Sequence, residues 1–170
     1  MGRYRSPPEK SSPYITRGGA IALREELQYL WREKRPEVLA ALAAAAAEGD
    51  RSENAEYIYR KKEIAGIDRR VRYLTKRMDV LRIVDQLPDK RDTVYFSAWV
   101  EVTDAEGKDY CYRIVGADEF HSETAWISVD SPMAKALLGR KLGDSITVVR
   151  PEDTAVFEIT AIRYTQSDAD

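Results

Sequence analysis

The most constraining feature of this sequence is a heptad pattern of apolar residues between positions 57 and 81. From position 64 onward the spacing alternates between three and four residues, and Tyr57 lies one heptad earlier: Ile64, Ile67, Val71, Leu74, Met78 and Leu81. Such spacing places the side chains along one stripe of an α-helix, as in a coiled-coil seam. The pattern predicts a helix over about 52–84 that packs lengthwise against another helix.

The partner helix is predicted immediately before it, over 17–48. Its apolar stripe includes Ala20, Leu23, Leu27, Leu30, Trp31, Val38, Leu42 and Ala45. Pro36 should kink this helix without ending it, because the alanine-rich stretch that follows has high helix propensity. Only residues 48–53 separate the two helices, and so short a connection requires an antiparallel hairpin. At about 1.5 Å per residue the second helix would be close to 50 Å long, so the hairpin tip should protrude.

The second half of the chain has a different pattern. After a polar linker, apolar and polar residues alternate as in strands, over 94–102, 110–115, 126–129, 146–149 and 156–164. One helix interrupts them, with Ser131 as its N-cap and Pro132 at its first position. The predicted fold is α+β, an N-terminal antiparallel coiled-coil hairpin followed by a small antiparallel sheet domain with one helix. The predicted boundaries are a disordered tail 1–13, the hairpin 14–84, the linker 85–92 and the sheet domain 93–170.

The charges are distributed unevenly along the chain. Residues 1–84 hold 18 Lys and Arg against 12 Asp and Glu, a net charge of +6, whereas the remainder holds 9 against 17, a net charge of -8. A basic half suits a polyanion such as nucleic acid, and an acidic half suits a protein surface. No run approaches the ~18 apolar residues of a membrane span, and no signal peptide is evident. With its single cysteine, Cys111, the sequence predicts a cytoplasmic protein without a membrane partner.

The predicted hairpin tip is rich in carboxylates, namely Glu48, Asp50, Glu53 and Glu56. One interpretation is a variant capping box, with Asp50 as the N-cap of the second helix and Glu53 at its third position. The other is a metal role, because Mg²⁺ in proteins is typically held by one or two carboxylates together with phosphates from the substrate. Two carboxylates do not make a tight site alone, but they could complete one that another protein half builds.

Four separated stretches resemble one known family. Residues 49–57 (GDRSENAEY) are similar to the tip signature of the Gre transcript-cleavage factors, and residues 127–139 to the C-terminal signature of that family. Residues 29–38 and 67–78 are closer to the GreB type than to the GreA type. The resemblance covers about residues 14–164, with the four blocks in the family's order.

The resemblance implies a coiled-coil domain that enters the secondary channel of bacterial RNA polymerase and a C-terminal domain similar in fold to FKBP. It implies that Asp50 and Glu53 are the catalytic residues and help to hold a Mg²⁺ ion in the polymerase active site, with no tightly bound cofactor of their own. Polymerase then cuts its backtracked RNA, so the chain would be a monomeric factor that stimulates cleavage and not itself an enzyme.

The same resemblance implies two binding surfaces. The basic run after the tip would bind the 3' segment of the nascent RNA, through Arg60, Lys61, Arg69 and Arg70. The loop Asp130, Ser131 and Pro132 would bind polymerase, although Ser131 and Pro132 also begin a helix. The alternatives are a secondary-channel regulator that inhibits or modulates polymerase without cleavage, and a structural hairpin protein or folding catalyst.

Overall fold

The computed structural model describes residues 11–47, 54–119, 125–149 and 154–164. The chain divides into two compact units, a helical unit, Ala20–Leu81, and a sheet unit that joins the chain up to Gly19 with the chain from Arg82 onward. The α+β fold predicted from the sequence is confirmed. Among the described residues, no helix combines the length and the apolar character needed to cross a membrane.

The helical run that starts at Arg17 continues past Pro36, as predicted. It consists of α1, Arg17–Tyr29, a π-helical turn, Leu30–Lys34, and α2, Arg35–Ala47. Pro36 has no N–H to donate to the carbonyl four residues earlier. In the π-helical turn the N–H of Arg35 donates to the carbonyl of Leu30, five residues earlier. The helix therefore accommodates the proline by forming one wider, π-helical turn and continues beyond it.

The second helix, α3, is shorter than predicted. It spans Ala55–Met78, so at ~1.5 Å per residue its 24 residues extend about 36 Å instead of about 50 Å. The helix ends because the amides of Val80 and Leu81 both donate to the carbonyl of Arg77, after which the chain becomes extended. Contacts between α3 and the preceding helices join residue 26 to 70 and 45 to 54, so the hairpin is antiparallel as predicted. Its buried seam includes Leu23, Val38, Ala45, Ile67 and Leu74.

The sheet unit contains a two-stranded parallel pair, β1 (Tyr14–Ile15) with β2 (Arg82–Ile83), and a five-stranded sheet. The five strands are β3 (Trp99–Asp104), β4 (Asp109–Val115), β5 (Trp126–Ser128), β6 (Ser145–Val149) and β7 (Thr154–Arg163), in the order β5-β4-β3-β7-β6. The prediction of a wholly antiparallel sheet is wrong at one edge, because β5 pairs parallel to β4. The ten residues between the two strands, 116–125, are more than a hairpin turn uses, and a parallel pair requires such a longer connection.

One short helix, α4 (Pro132–Leu137), packs on the sheet beside the core. Its N-cap is Ser131 and its first residue is Pro132, as the sequence predicts. Gly139 follows with a φ of 78°, a conformation that ends helices readily. The buried core of this unit consists mainly of aliphatic side chains, among them Val100, Val102, Ile114, Leu137 and Ile159, together with the aromatic ring of Phe157.

A buried carboxylate fixes the start of α1 within the sheet unit. Glu119, only 4% exposed, accepts hydrogen bonds from the amide and the hydroxyl of Thr16 and from the amide of Gly116. Thr16 in turn accepts from the amide of Gly19 at 3.0 Å and so caps α1. A Cβ atom at Gly19 would overlap the Glu119 carboxylate, which explains why glycine stands inside the first turn of a helix.

The segments that the sequence assigned to the hairpin domain and the linker contribute partly to the sheet unit. Residues 14–19 and 82–92 group with the five-stranded sheet; β1 and β2 pair with each other, and Thr16, directly after β1, bonds to the buried Glu119. The amide of Arg82 donates to the carbonyl of Pro13 at 2.8 Å, and the amide of Ser12 donates to the Asp130 carboxylate at 2.8 Å. The stretch before α1 is thus bonded to the rest of the sheet unit at Ser12 and at Pro13.

Candidate functional site

Asn54 joins the two helices next to the hairpin tip. Its side-chain carbonyl oxygen accepts from the amide of Tyr57 at 3.0 Å, and its backbone carbonyl accepts from the amide of Ile58 at 3.1 Å. Its side-chain NH₂ group donates to the carbonyl of Ala45, in the last turn of α2, at 2.8 Å. The end of α2 and the start of α3 are therefore tied together by a single amide.

The hydrogen bonds of Asn54 test whether Asp50 and Glu53 form a capping box at the start of α3. Asp50 and Glu53 lie outside the described residues, between Ala47 and Asn54. The N-cap of α3 is Asn54, which has an extended backbone with φ of -82° and ψ of 101°. The capping-box interpretation, in which Asp50 begins this helix, is therefore wrong. The metal and catalytic roles of Asp50 and Glu53 stay predictions.

Two of the four residues predicted to bind RNA are engaged within the protein. Arg60 donates to Glu56 at 2.7 Å and to Glu63 at 2.9 Å, and these two carboxylates raise the pKa of the Arg60 guanidinium. Arg70 donates two hydrogen bonds, each 2.7 Å long, to the two carboxylate oxygens of Glu26. Both side chains would have to share or exchange these partners before they could hold a phosphate.

The other two predicted RNA-binding residues, Lys61 and Arg69, are exposed and form no ion pair with any other described residue. Arg69 lines a groove of about 380 Å³ on α3, whose lining residues are Lys62, Ala65, Asp68, Arg69 and Arg72. We call this surface the basic groove. Its single carboxylate, Asp68, accepts from Arg35 at 2.9 Å, so the groove retains a positive excess.

Sequence reasoning missed Lys62 and Arg72 as individual candidates. Their spacing to Arg69, seven and three residues, places all three on one helix face and was readable from the sequence. Exposed aromatic rings also accompany arginines along the helical unit, with Arg35 over Trp31, Arg60 over Tyr59 and Arg70 over Tyr73 at 5.1 to 5.4 Å. Aromatic rings and guanidinium planes are the groups on which single-stranded bases stack.

The predicted polymerase-binding loop is held by two local hydrogen bonds and one from the distant residue Ser12. Ser131 accepts from the amide of Ala134 at 3.2 Å, so its hydroxyl serves as a helix cap. The amide of Asp130 donates to the Ser128 hydroxyl at 3.1 Å, and the Asp130 carboxylate accepts from the amide of Ser12. Pro132 is exposed. The loop therefore presents a rigid proline beside a half-buried carboxylate, and its binding role stays a prediction.

Over the described ranges, no three His, Cys, Asp or Glu side chains come close enough together to hold a metal ion. Cys111 is a free, half-buried thiol on β4. A site of three such side chains would thus have to include residues outside these ranges, and the sequence predicts the carboxylates of the tip segment, 48–53, for that role. Their oxygen ligands are of the hard type that Mg²⁺ prefers.

Comparison with known proteins gives consistent matches over nearly the whole chain. Residues 13–83 match the family model described as transcription elongation factor, N-terminal, and residues 88–164 match the model for the C-terminal part of GreA/GreB. Transcription elongation factor GreB of Xanthomonas axonopodis pv. citri (strain 306) is 52% identical over 165 residues, which cover 96% of this chain and 98% of the relative. GreB of Yersinia pestis is 52% identical over 159 residues, covering 94% and 93%.

Among solved structures, the Gfh1 protein of Thermus thermophilus, a GreA factor homologue, is 25% identical to this chain, with a TM-score of 0.40. The match covers 88% of this chain and 97% of that protein.

Proposed function

Because this chain belongs to the GreA/GreB family of transcription elongation factors, we propose that it binds bacterial RNA polymerase through the secondary channel and stimulates cleavage of backtracked nascent RNA. The observation that carries the proposal is the capping of α3 by Asn54. Because Asn54 already caps α3, the helix does not require Asp50 as its N-cap, which supports a different role for the two acids of the family's tip signature, Asp50 and Glu53.

Within this proposal, Asp50 and Glu53 supply carboxylate ligands and orient water at a Mg²⁺ ion that polymerase already partly surrounds. When bound there, the ion activates the attacking water and stabilises the leaving oxygen of the phosphodiester. Two carboxylates on one short segment are too few ligands for tight binding by this chain alone. The chain therefore acts as a cofactor of the polymerase, without nuclease activity of its own and without a tightly bound metal.

We assign the RNA contact to basic side chains of α3 that form no ion pair with another described residue. Lys61, Arg69 and the further lining residues of the basic groove, Lys62 and Arg72, face solvent and suit the phosphates of the RNA 3' segment. Contacts of this kind position a nucleic acid without reading its sequence. That suits a factor which must act wherever polymerase stops.

Docking is assigned to the sheet unit, through Asp130, Ser131 and Pro132. Three hydrogen bonds hold this loop: the Ser131 hydroxyl accepts from Ala134, the Asp130 amide donates to Ser128, and the Asp130 carboxylate accepts from Ser12. An acidic loop also suits a protein surface better than nucleic acid. The factor works as a monomer in the cytoplasm, where its polymerase is.

The test is a transcript-cleavage assay on backtracked elongation complexes that carry end-labelled RNA. We expect the wild-type chain to shorten the RNA only when polymerase is present, and Asp50→Ala or Glu53→Ala to abolish cleavage while still binding polymerase. Glu56→Gln is the matched control, because Glu56 is an acid near the tip that pairs with Arg60. Full cleavage by Asp50→Ala would refute the proposed role, and inhibition without cleavage by the wild type would favour the regulator instead.

A further inference from the structure

We infer that Asn54 is a positioning residue for the two tip carboxylates. Its side chain ties the last turn of α2 to the first turn of α3, so it fixes the separation between the two ends of the segment that carries Asp50 and Glu53. The inference rests on the proposed function, because the segment matters only if these acids are delivered to the polymerase.

The chemistry of the contact requires an amide. The last carbonyls of a helix and the first amides of a helix lack partners within that helix. Asn54 supplies both kinds of group on one side chain, an acceptor for the amide of Tyr57 and a donor for the carbonyl of Ala45. Asp and Ser cap helices about as well as Asn, but an ionised Asp cannot donate and a Ser hydroxyl lies too close to its own backbone to span the same distance.

The position of the contact makes it the anchor of the tip. Ala45 is 3% exposed and Asn54 is half-buried, so the hydrogen bond between them is sheltered from water. The ion pairs that join α3 to the preceding helical segments lie further from the tip, at Glu63, Asp68 and Arg70. A change at Asn54 therefore acts on the end of the hairpin and leaves these ion pairs in place.

A small change in the separation of the segment's ends is sufficient to affect catalysis. Misplacing a catalytic group by about 1 Å can lower a rate by about a hundredfold. The helical ends remain close without the Asn54 bond, because the seam still packs. We therefore expect a partial loss, on the order of tenfold in the maximal cleavage rate.

The experiment compares Asn54→Ser and Asn54→Asp with the wild type in the cleavage assay, at factor concentrations from limiting to saturating. Both variants keep an oxygen that can cap α3, and both lose the NH₂ group that donates to the carbonyl of Ala45. Because the two variants differ in charge, a fall in cleavage rate that they share is due to the lost donor. We expect the maximal rate to fall about tenfold and the half-saturating concentration to stay constant. Glu26→Gln is the control, because it weakens a link to α3 far from the tip and should keep the wild-type maximal rate.

A second readout does not depend on cleavage. Hydrogen exchange of the amides at Ala45 and Ala46, in the last turn of α2, should accelerate in both Asn54 variants relative to amides in the middle of α3, because this turn loses its bond to the Asn54 side chain. Wild-type maximal rates or unchanged exchange in either variant would overturn the inference, as would an effect confined to the half-saturating concentration. If the wild type itself fails to stimulate cleavage, the proposed function fails and the inference fails with it; a cleaving wild type with fully active variants refutes the inference alone.

Discussion

The neighbouring residues Arg69 and Arg70 allow a direct test of which basic side chains hold RNA. Arg70 donates from two of its guanidinium nitrogens to the Glu26 carboxylate, whereas Arg69 lines the basic groove and forms no ion pair over the part of the chain that the structure describes. A guanidinium that must give up a carboxylate gains less from a phosphate than one that exchanges only water. We therefore expect Arg69→Gln to weaken the RNA contact more than Arg70→Gln does.

The magnitude follows from counterion release. Each phosphate contact on a single strand contributes about 0.7 to the slope of log affinity against log salt concentration. Loss of one contact should therefore reduce that slope by about 0.7 in Arg69→Gln. For a fourfold increase in salt, the affinity of the variant should fall roughly 2.6-fold less than that of the wild type.

The assay measures the half-saturating factor concentration at several salt concentrations, with complexes that expose a long RNA 3' segment. Docking on polymerase is also salt-dependent, so the comparison with the wild type isolates the single contact. Complexes with the shortest extruded RNA are the negative control, because their RNA should not extend to the middle of α3. With these complexes the salt dependence of Arg69→Gln should equal that of the wild type. A slope that falls as much in Arg70→Gln as in Arg69→Gln would refute the assignment based on ion pairing.

Two further predictions concern the fold that carries the site. Gly19→Ala should destabilise the protein by about 1–3 kcal/mol, because its methyl group would overlap the buried Glu119 carboxylate. Gly66→Ala on α3 meets no neighbouring atom and should stabilise the protein by about 0.5–1 kcal/mol. Thermal melting measures both effects, and equal melting temperatures for the two variants would contradict this account. Hydrogen bonds from the amide of Lys108 and the hydroxyl of Tyr110 hold the pKa of Asp104 below its usual value, so its stabilisation of the β3–β4 turn should be complete above about pH 4 and be lost below it. Melting curves from pH 3 to 6 should therefore fall more steeply at the acid end for the wild type than for Asp104→Asn, and parallel curves would count against that role.

The parts of the fold that depend on local periodicity were predictable from the sequence. The apolar heptads gave α3 and its seam, and the Ser131 and Pro132 pair gave the start of α4. The parts that depend on distant pairing were not. β1 and β2 have two residues each, too few to show any pattern, and the parallel pairing of β5 depends on the path of the chain between strands.

The same distinction applies to the candidate site. The ion pairs of Arg60 with Glu56 and Glu63 follow from helical spacings of four and three residues, so the sequence contained them. The pair of Arg70 with Glu26 spans 44 positions and appears only when the hairpin forms. The contact of Asn54 with Ala45 likewise depends on the register of two helices. Sequence reasoning therefore identified the basic run but not which of its members are engaged within the protein.

The contacts within the two units support the proposed separation of polymerase binding from cleavage. The hydrogen bonds that hold the proposed docking loop, residues 130–132, involve Ser12, Ser128 and Ala134, all in the sheet unit. The hydrogen bonds of the Asn54 side chain lie entirely within the helical unit. Among the described residues, a substitution at Asn54 therefore removes no hydrogen bond of the proposed docking loop, and a substitution in that loop removes none of those that Asn54 forms. Tip variants should accordingly compete with the wild type for polymerase at full strength while cleaving poorly.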